Sequence, residues 1–177
     1  VPLADADRHK LLEFSKQHHI LWWLQPKGPD SIIPLGHADN DADGNDLYYA
    51  LPDFHLNMYF RPTDFTQVNP FINRTLVSQA IRWLDIRPHD VLMDWFCGLG
   101  NFTLPMATLA KRVMGVEGSP SLLNWADRNL RRNNASRQAL GLPQMSDVAF
   151  TSQNLFEIDA VALQQYGQFA KWLIDPP

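Results

Sequence analysis

Cysteine is nearly absent from this chain: Cys97 is the single thiol in 177 residues. That excludes an internal disulfide, and it excludes a metal cluster held by cysteines of this chain alone. An excess of positive charge is also missing. Fifteen Lys and Arg stand against 19 Asp and Glu, for a net charge of −4 and a pI near 5.8. A stand-alone electrostatic nucleic-acid binder carries the opposite balance, so any basic surface must be local. No apolar run approaches the ~20 residues that span a bilayer, and no secretory signal opens the chain. The expectation is a cytoplasmic protein with no membrane partner. No methionine stands at the start, and the chain stops at Ile174-Asp175-Pro176-Pro177, directly after an apolar strand. The expectation is a fragment cut from a longer enzyme.

What is present is a core-forming composition, 45% hydrophobic, and one informative stretch. The apolar run Val91-Leu92-Met93 leads into Asp94-Trp95-Phe96-Cys97-Gly98-Leu99-Gly100-Asn101-Phe102-Thr103. A strand, a glycine turn and a helix in succession open a nucleotide-type cofactor site. Gly98 and Gly100 let the backbone turn tightly and approach a ligand closely. The dinucleotide fingerprint Gly-x-Gly-x-x-Gly is incomplete, because Thr103 occupies the third glycine position. The loop instead resembles the first motif of S-adenosylmethionine-dependent methyltransferases, whose cofactor has no phosphate to cradle. A second strand, Arg112 to Glu117, ends in a carboxylate. It lies about 20 residues after the first strand, where a doubly wound fold places its ribose-binding acid.

The spacing predicts a helix over Asp5–Gln17, a strand over Ile20–Leu24, a loop over 26–46, and strands over Leu47–Leu51 and His55–Phe60. Asn69-Pro70 starts a helix running to about Leu84, with Ile72, Leu76, Ala80 and Leu84 on one face. Strands over 91–96, 112–117, 148–152 and 171–175 then alternate with helices over about 101–110, 120–133 and 159–166. This alternation predicts an α/β fold with a mostly parallel sheet and right-handed crossovers. Ser119-Pro120 forms the cap and first turn of the second of those helices. We place a domain boundary near Thr66: residues 1–66 as the C-terminal part of a smaller α/β domain, and 67–177 as the first half of a Rossmann-like methyltransferase domain.

Five segments occur in a telling order: Phe65-Thr66-Gln67-Val68-Asn69, the glycine loop 94–102, Gly115-Val116-Glu117-Gly118, Gln153-Asn154-Leu155 and Asp175-Pro176-Pro177. Together they resemble the RNA uracil-C5 methyltransferase family, in particular the branch acting on large-subunit ribosomal RNA. The resemblance implies S-adenosyl-L-methionine as cofactor and ribosomal RNA as partner. It places Gln67, Phe96, Asn101, Glu117, Asn154 and Asp175 on positions that contact the cofactor; Gly98 joins them through the turn. Physical roles are available. Phe96 supports the cofactor from its apolar side, Asn101 caps the following helix and meets the methionine part, and Asn154 reads an adenine edge. Asp175 ends the fourth strand, at the edge where such sheets bind ligands. Residues 1–66 would contact RNA. The family's chemistry adds a thiolate to C6 of uracil, so that C5 attacks the methyl group before a base removes the C5 proton. The resemblance puts that nucleophile beyond Pro177, so this chain is expected to hold no catalytic residue and to be inactive. An iron–sulfur cluster, where the parent has one, would use cysteines that this chain lacks. A monomer is expected.

Several residues invite other readings. Cys97 sits in the cofactor loop, which argues for a packed thiol rather than a nucleophile. Asp39-x-Asp41-x-Asp43-Gly44 mimics a calcium loop, but Ala50 takes the place of the bidentate Glu and Asp46 an apolar position. His18 and His19 have no partner at ligand spacing, so no metal is expected. Arg128, Arg131, Arg132 and Arg137 read as helix-surface charges. Two alternatives stay open: an amino-methyltransferase acting on adenine or cytosine through Asp-Pro-Pro, and a non-catalytic cofactor- or RNA-binding module. An arginine after Pro177 would favour the uracil class; an aromatic residue there would favour the amino class.

Overall fold

A computed structural model describes residues 3–28, 31–36 and 47–177. The acidic stretch from Asp39 to Asp46 lies outside the described residues. The chain divides into two compact units, Val1–Leu47 with Arg61–Phe65, and Tyr48–Phe60 with Thr66–Pro177.

The first unit contains helix α1 (Asp5–His18) and strands β1 (Trp22–Leu24) and β2 (Ile33–Leu35), which pair antiparallel. β2 falls in the stretch expected to be loop. Its three residues place Leu35 in the unit's interior, and Pro34 is tolerated because the two-stranded sheet is all edge. The Trp22 indole N–H donates to the Leu11 carbonyl at 3.1 Å, tying β1 to α1.

The second unit is built on a four-stranded parallel sheet in the order β7-β6-β5-β8. Its strands are β5 (Val91–Trp95), β6 (Arg112–Glu117), β7 (Asp147–Ser152) and β8 (Lys171–Ile174). The strand order reverses between β5 and β8, which makes the carboxyl ends of these two strands the natural ligand crevice. β5 is buried on both faces, as parallel strands are. Leu92 joins one apolar cluster with Val77, Leu104, Met106 and Val113. Met93 and Trp95 join the other, with Val116. Helix α2 (Pro70–Leu84) starts where Asn69 Oδ1 accepts from the Phe71 and Ile72 N–H groups. Helix α4 (Pro120–Ala139) is capped by Ser119 as expected, and it runs six residues further than its apolar spacing indicates.

Two predicted faces are corrected. The buried stripe of α2 is Asn73, Val77 and Ile81, while Ile72 and Leu76 are exposed at 64% and 41%. Both stripes read as apolar in sequence, and packing chose the one carrying an asparagine. Arg137 is not a surface charge. It is buried, and its guanidinium donates to the carbonyls of Pro143 and Phe54 at 2.8 and 2.7 Å.

Strands β3 (Tyr48–Leu51) and β4 (Leu56–Tyr59) form an antiparallel hairpin around a 3-10 turn at Pro52–Phe54. A polar stripe on α4 holds it. Asn129 Oδ1 accepts from the Tyr59 N–H at 2.9 Å, and its Nδ2 donates to the Tyr59 carbonyl at 3.1 Å. Asn133 repeats the pattern on Asn57, with both bonds at 2.8 Å. Each side-chain amide completes the backbone pairing of one residue on an otherwise open strand edge.

Candidate functional site

β5 ends in a strained turn. Phe96 has φ +62°, a left-handed conformation that costs a residue with a side chain of order 1 kcal/mol or more. The Cys97 N–H bonds to the Val116 carbonyl at 3.1 Å, which pins the turn to the end of β6. Gly98 follows with φ +54°, and a Cβ built there meets no atom within 4 Å, so the space beside the loop is open. The Phe96 ring meets Phe156 edge-on, with centroids 5.7 Å apart.

Glu117 faces this turn from the end of β6. Its Oε2 accepts from the Gly98 N–H at 3.1 Å and its Oε1 from the Ser119 N–H at 2.9 Å. Each carboxylate oxygen has two acceptor sites, so one remains on each for a pair of neighbouring hydroxyls.

Asp94 lies beneath the loop and is buried. The Thr103 hydroxyl donates to its Oδ2 at 2.5 Å, while Oδ1 has no partner among the described residues. Burial, with the nearby charges of Asp175 and Glu117 acting in the same direction, raises the Asp94 carboxyl to about 7, although Thr103 opposes the shift. The threonine that replaces the third glycine is therefore the partner of the motif's first acid. Asp94 and Thr103 were missing from the expected site residues. Their nine-residue spacing gives no sign of the contact until the loop folds back on the strand.

Asp175 follows β8, and its N–H reaches the Trp95 carbonyl at 3.5 Å, which places it beside the end of β5. Asn154 follows β7, is exposed, and closes a local turn by accepting from the Phe156 N–H at 3.1 Å. Gln67 is exposed in the segment ahead of α2. Phe96, Gly98, Glu117, Asn154 and Asp175 thus stand at the carboxyl edge of the sheet.

Asn101 departs from its expected capping role. Helix α3 spans only Thr103–Ala107, and Phe102 at its cap makes no side-chain bond. The Asn101 amide instead pairs with Asn73. Nδ2 of each donates to Oδ1 of the other at 3.0 Å, and the Tyr49 hydroxyl donates to Asn101 Oδ1 at 2.8 Å. Tyr49 and Asn73 carried no sequence signal beyond an asparagine four residues after Asn69.

Cys97 is buried, and burial first, then the charges of Asp94 and Glu117, hold its thiol far above the ordinary range. A Cβ at Gly115 would lie 2.9 Å from the Cys97 sulfur and 2.9 Å from the Phe150 ring. The thiol fills space that a glycine on the neighbouring strand leaves for it. Among the described residues, no cluster of His, Cys, Asp and Glu is placed to hold a metal, and no helix is long and apolar enough to cross a membrane.

The parallel sheet, with a glycine turn after its first strand and an acid after its second, is a Rossmann-like fold of the methyltransferase type. It is shared with the tRNA (uracil-54, C5)-methyltransferase of Pyrococcus abyssi, solved with S-adenosyl-L-homocysteine. That likeness has a TM-score of 0.60 at 21% identity, and it covers 89% of this chain and 34% of that one. The chain belongs to the tRNA (uracil-5-)-methyltransferase family, whose model matches residues 48–177. It is 48% identical over 176 residues to the 23S rRNA (uracil(1939)-C(5))-methyltransferase RlmD of Acidovorax sp. strain JS42, covering 99% of this chain and 35% of the relative. The same-named protein of Cupriavidus necator is also 48% identical, with 37% of its length covered. The chain thus spans about a third of the curated relatives it matches.

Proposed function

We propose that this chain is part of an enzyme that transfers a methyl group from S-adenosyl-L-methionine to C5 of a uridine in ribosomal RNA. Within it, the chain supplies most of the cofactor site. The observation that carries this reading is the arrangement of Glu117, Gly98 and the half-satisfied Asp94 at the carboxyl edge of the sheet, in a chain 48% identical to proteins of that name. The fit to the cofactor is chemical. Two free acceptor sites on Glu117 suit a ribose diol, the open face of Gly98 admits the ligand past the backbone, and the exposed amide of Asn154 suits an adenine edge. Asp175 lies where the strand order reverses, and Gln67 precedes α2 on the segment leading into the domain. When bound, the cofactor supplies an electrophilic methyl group.

The residues of this chain bind and orient. Phe96 offers an apolar surface, Glu117 fixes the sugar, and the buried Asp94, once ionised above about pH 7, adds negative potential beneath a cationic ligand. Cys97 lends no nucleophile, since it is buried under the loop with its proton held firmly. The thiol that attacks C6 therefore belongs to the remainder of the enzyme. We assign residues 67–177, together with the hairpin 48–60 that packs on α4, to the cofactor domain, and the rest of 1–66 to an RNA-contacting domain. A cytoplasmic monomer suits such an enzyme. An amino-methyltransferase would share the glycine loop and the strand-final acid, and the family match over residues 48–177 favours the uracil class over it.

The test is calorimetry on the full-length protein. Glu117→Ala should weaken cofactor binding by ~1–3 kcal/mol, the worth of charge-assisted hydrogen bonds to a buried ligand. Unchanged affinity would remove Glu117 from the site and the reading with it.

A further inference from the structure

The hydrogen-bond arithmetic of Asn101 singles out one group on the ligand. A side-chain amide has two acceptor sites on Oδ1 and two donor hydrogens on Nδ2. Both acceptor sites are filled, by the Tyr49 hydroxyl at 2.8 Å and by Asn73 Nδ2 at 3.0 Å. One donor hydrogen is used on Asn73 Oδ1 at 3.0 Å. What remains is a single N–H. Asn73 is buried, at 2% exposure, and sits on the α2 stripe that packs into the core. Burial also holds the Tyr49 hydroxyl in its protonated, donating form. The amide is thus held from two elements, β3 and α2, at the loop that follows β5.

We propose that Asn73 and Tyr49 are positioning residues that leave Asn101 with one N–H to donate, so that the site recognises the carboxylate of the amino-acid part of its cofactor. An ammonium has only hydrogens to offer and finds no acceptor on this amide. The ribose lies with Glu117 at the end of β6, which leaves the amino-acid part for the loop after β5. A carboxylate is the strongest acceptor in that part of the ligand. The inference rests on the proposed cofactor reading.

The test uses the full-length protein and three probes: S-adenosyl-L-homocysteine, its decarboxylated analogue, which keeps the amine, and its deaminated analogue, which keeps the carboxylate. Asn73→Ala should weaken the two carboxylate-bearing ligands about tenfold, as expected for one charge-assisted hydrogen bond, and leave the decarboxylated ligand within about twofold. Tyr49→Phe, which removes one oxygen and keeps the ring, should do the same to a smaller extent, about threefold. It carries the test if Asn73→Ala does not fold. Glu117→Ala serves as the control, because it should weaken all three ligands alike through the ribose they share. Equal losses for all three ligands in Asn73→Ala would make the network merely structural. A loss that follows the amine would reverse the donor assignment. Either result overturns the inference while leaving the cofactor reading intact. If the unaltered protein binds none of the three, the cofactor reading falls and takes the inference with it.

Discussion

Asp94 is a carboxyl group in the wrong solvent, and its consequence is a pH-dependent stability. Its folded-state value is raised to about 7 from an ordinary 3.8. Below the ordinary value both states are protonated. Between the two values the folded chain holds a proton that the unfolded chain has lost. Stability therefore falls as pH rises through this window and is flat above about 7, by on the order of a few kcal/mol. Denaturant titrations between about pH 4 and 8 should show that slope, and Asp94→Asn should flatten it; a slope kept by the asparagine variant would assign it elsewhere. Cys97 gives a second residue-scale expectation. It is buried against Gly115 and Phe150, so on the proposed reading Cys97→Ala in the full-length protein should still trap RNA carrying 5-fluorouracil at the target. The fluorine cannot leave as a proton does, so the adduct persists on a denaturing gel. Loss of the shifted band in a variant that still binds cofactor would make Cys97 the nucleophile.

At the scale of elements, the polar stripe Asn129, Asn133 and Arg137 on α4 joins the β3–β4 hairpin to the sheet. Asn129 also donates to the Leu99 carbonyl at 3.2 Å, so one side chain supports the hairpin edge and the glycine loop together. Replacing such a group leaves partly buried backbone atoms unpaired. Asn133→Ala orphans both the N–H and the carbonyl of Asn57, and it should cost ~2–4 kcal/mol. Urea denaturation checks this, and a change below ~0.5 kcal/mol, the range of an ordinary surface substitution, would show that the stripe is dispensable.

For the molecule as a whole, the described residues bring the candidate cofactor residues to one edge of the sheet, and the single thiol of the chain, Cys97, is buried. Purified as it stands, the chain should transfer no labelled methyl group from the cofactor to ribosomal RNA. Incorporation above background would place catalytic groups within these residues.

The local chemistry of the chain determined the element order and turn positions of the second unit, while β2 in the first was not legible in it. Asn69-Pro70 and Ser119-Pro120 cap their helices through contacts only two or three residues apart, and period and capping are local physics. The motifs at the strand ends were legible for the same reason: a glycine turn and a strand-final acid declare themselves over a few residues. What tertiary structure decided is every contact between distant segments. It selected the Asn73 face of α2 over the Ile72 face, buried Arg137, shortened α3, and turned Asn101 from a cap into half of an amide pair. It also joined Thr103 to Asp94 and set the Cys97 thiol against Gly115. Those outcomes depend on which polar groups must find partners once water is excluded, and no single window of sequence contains both partners.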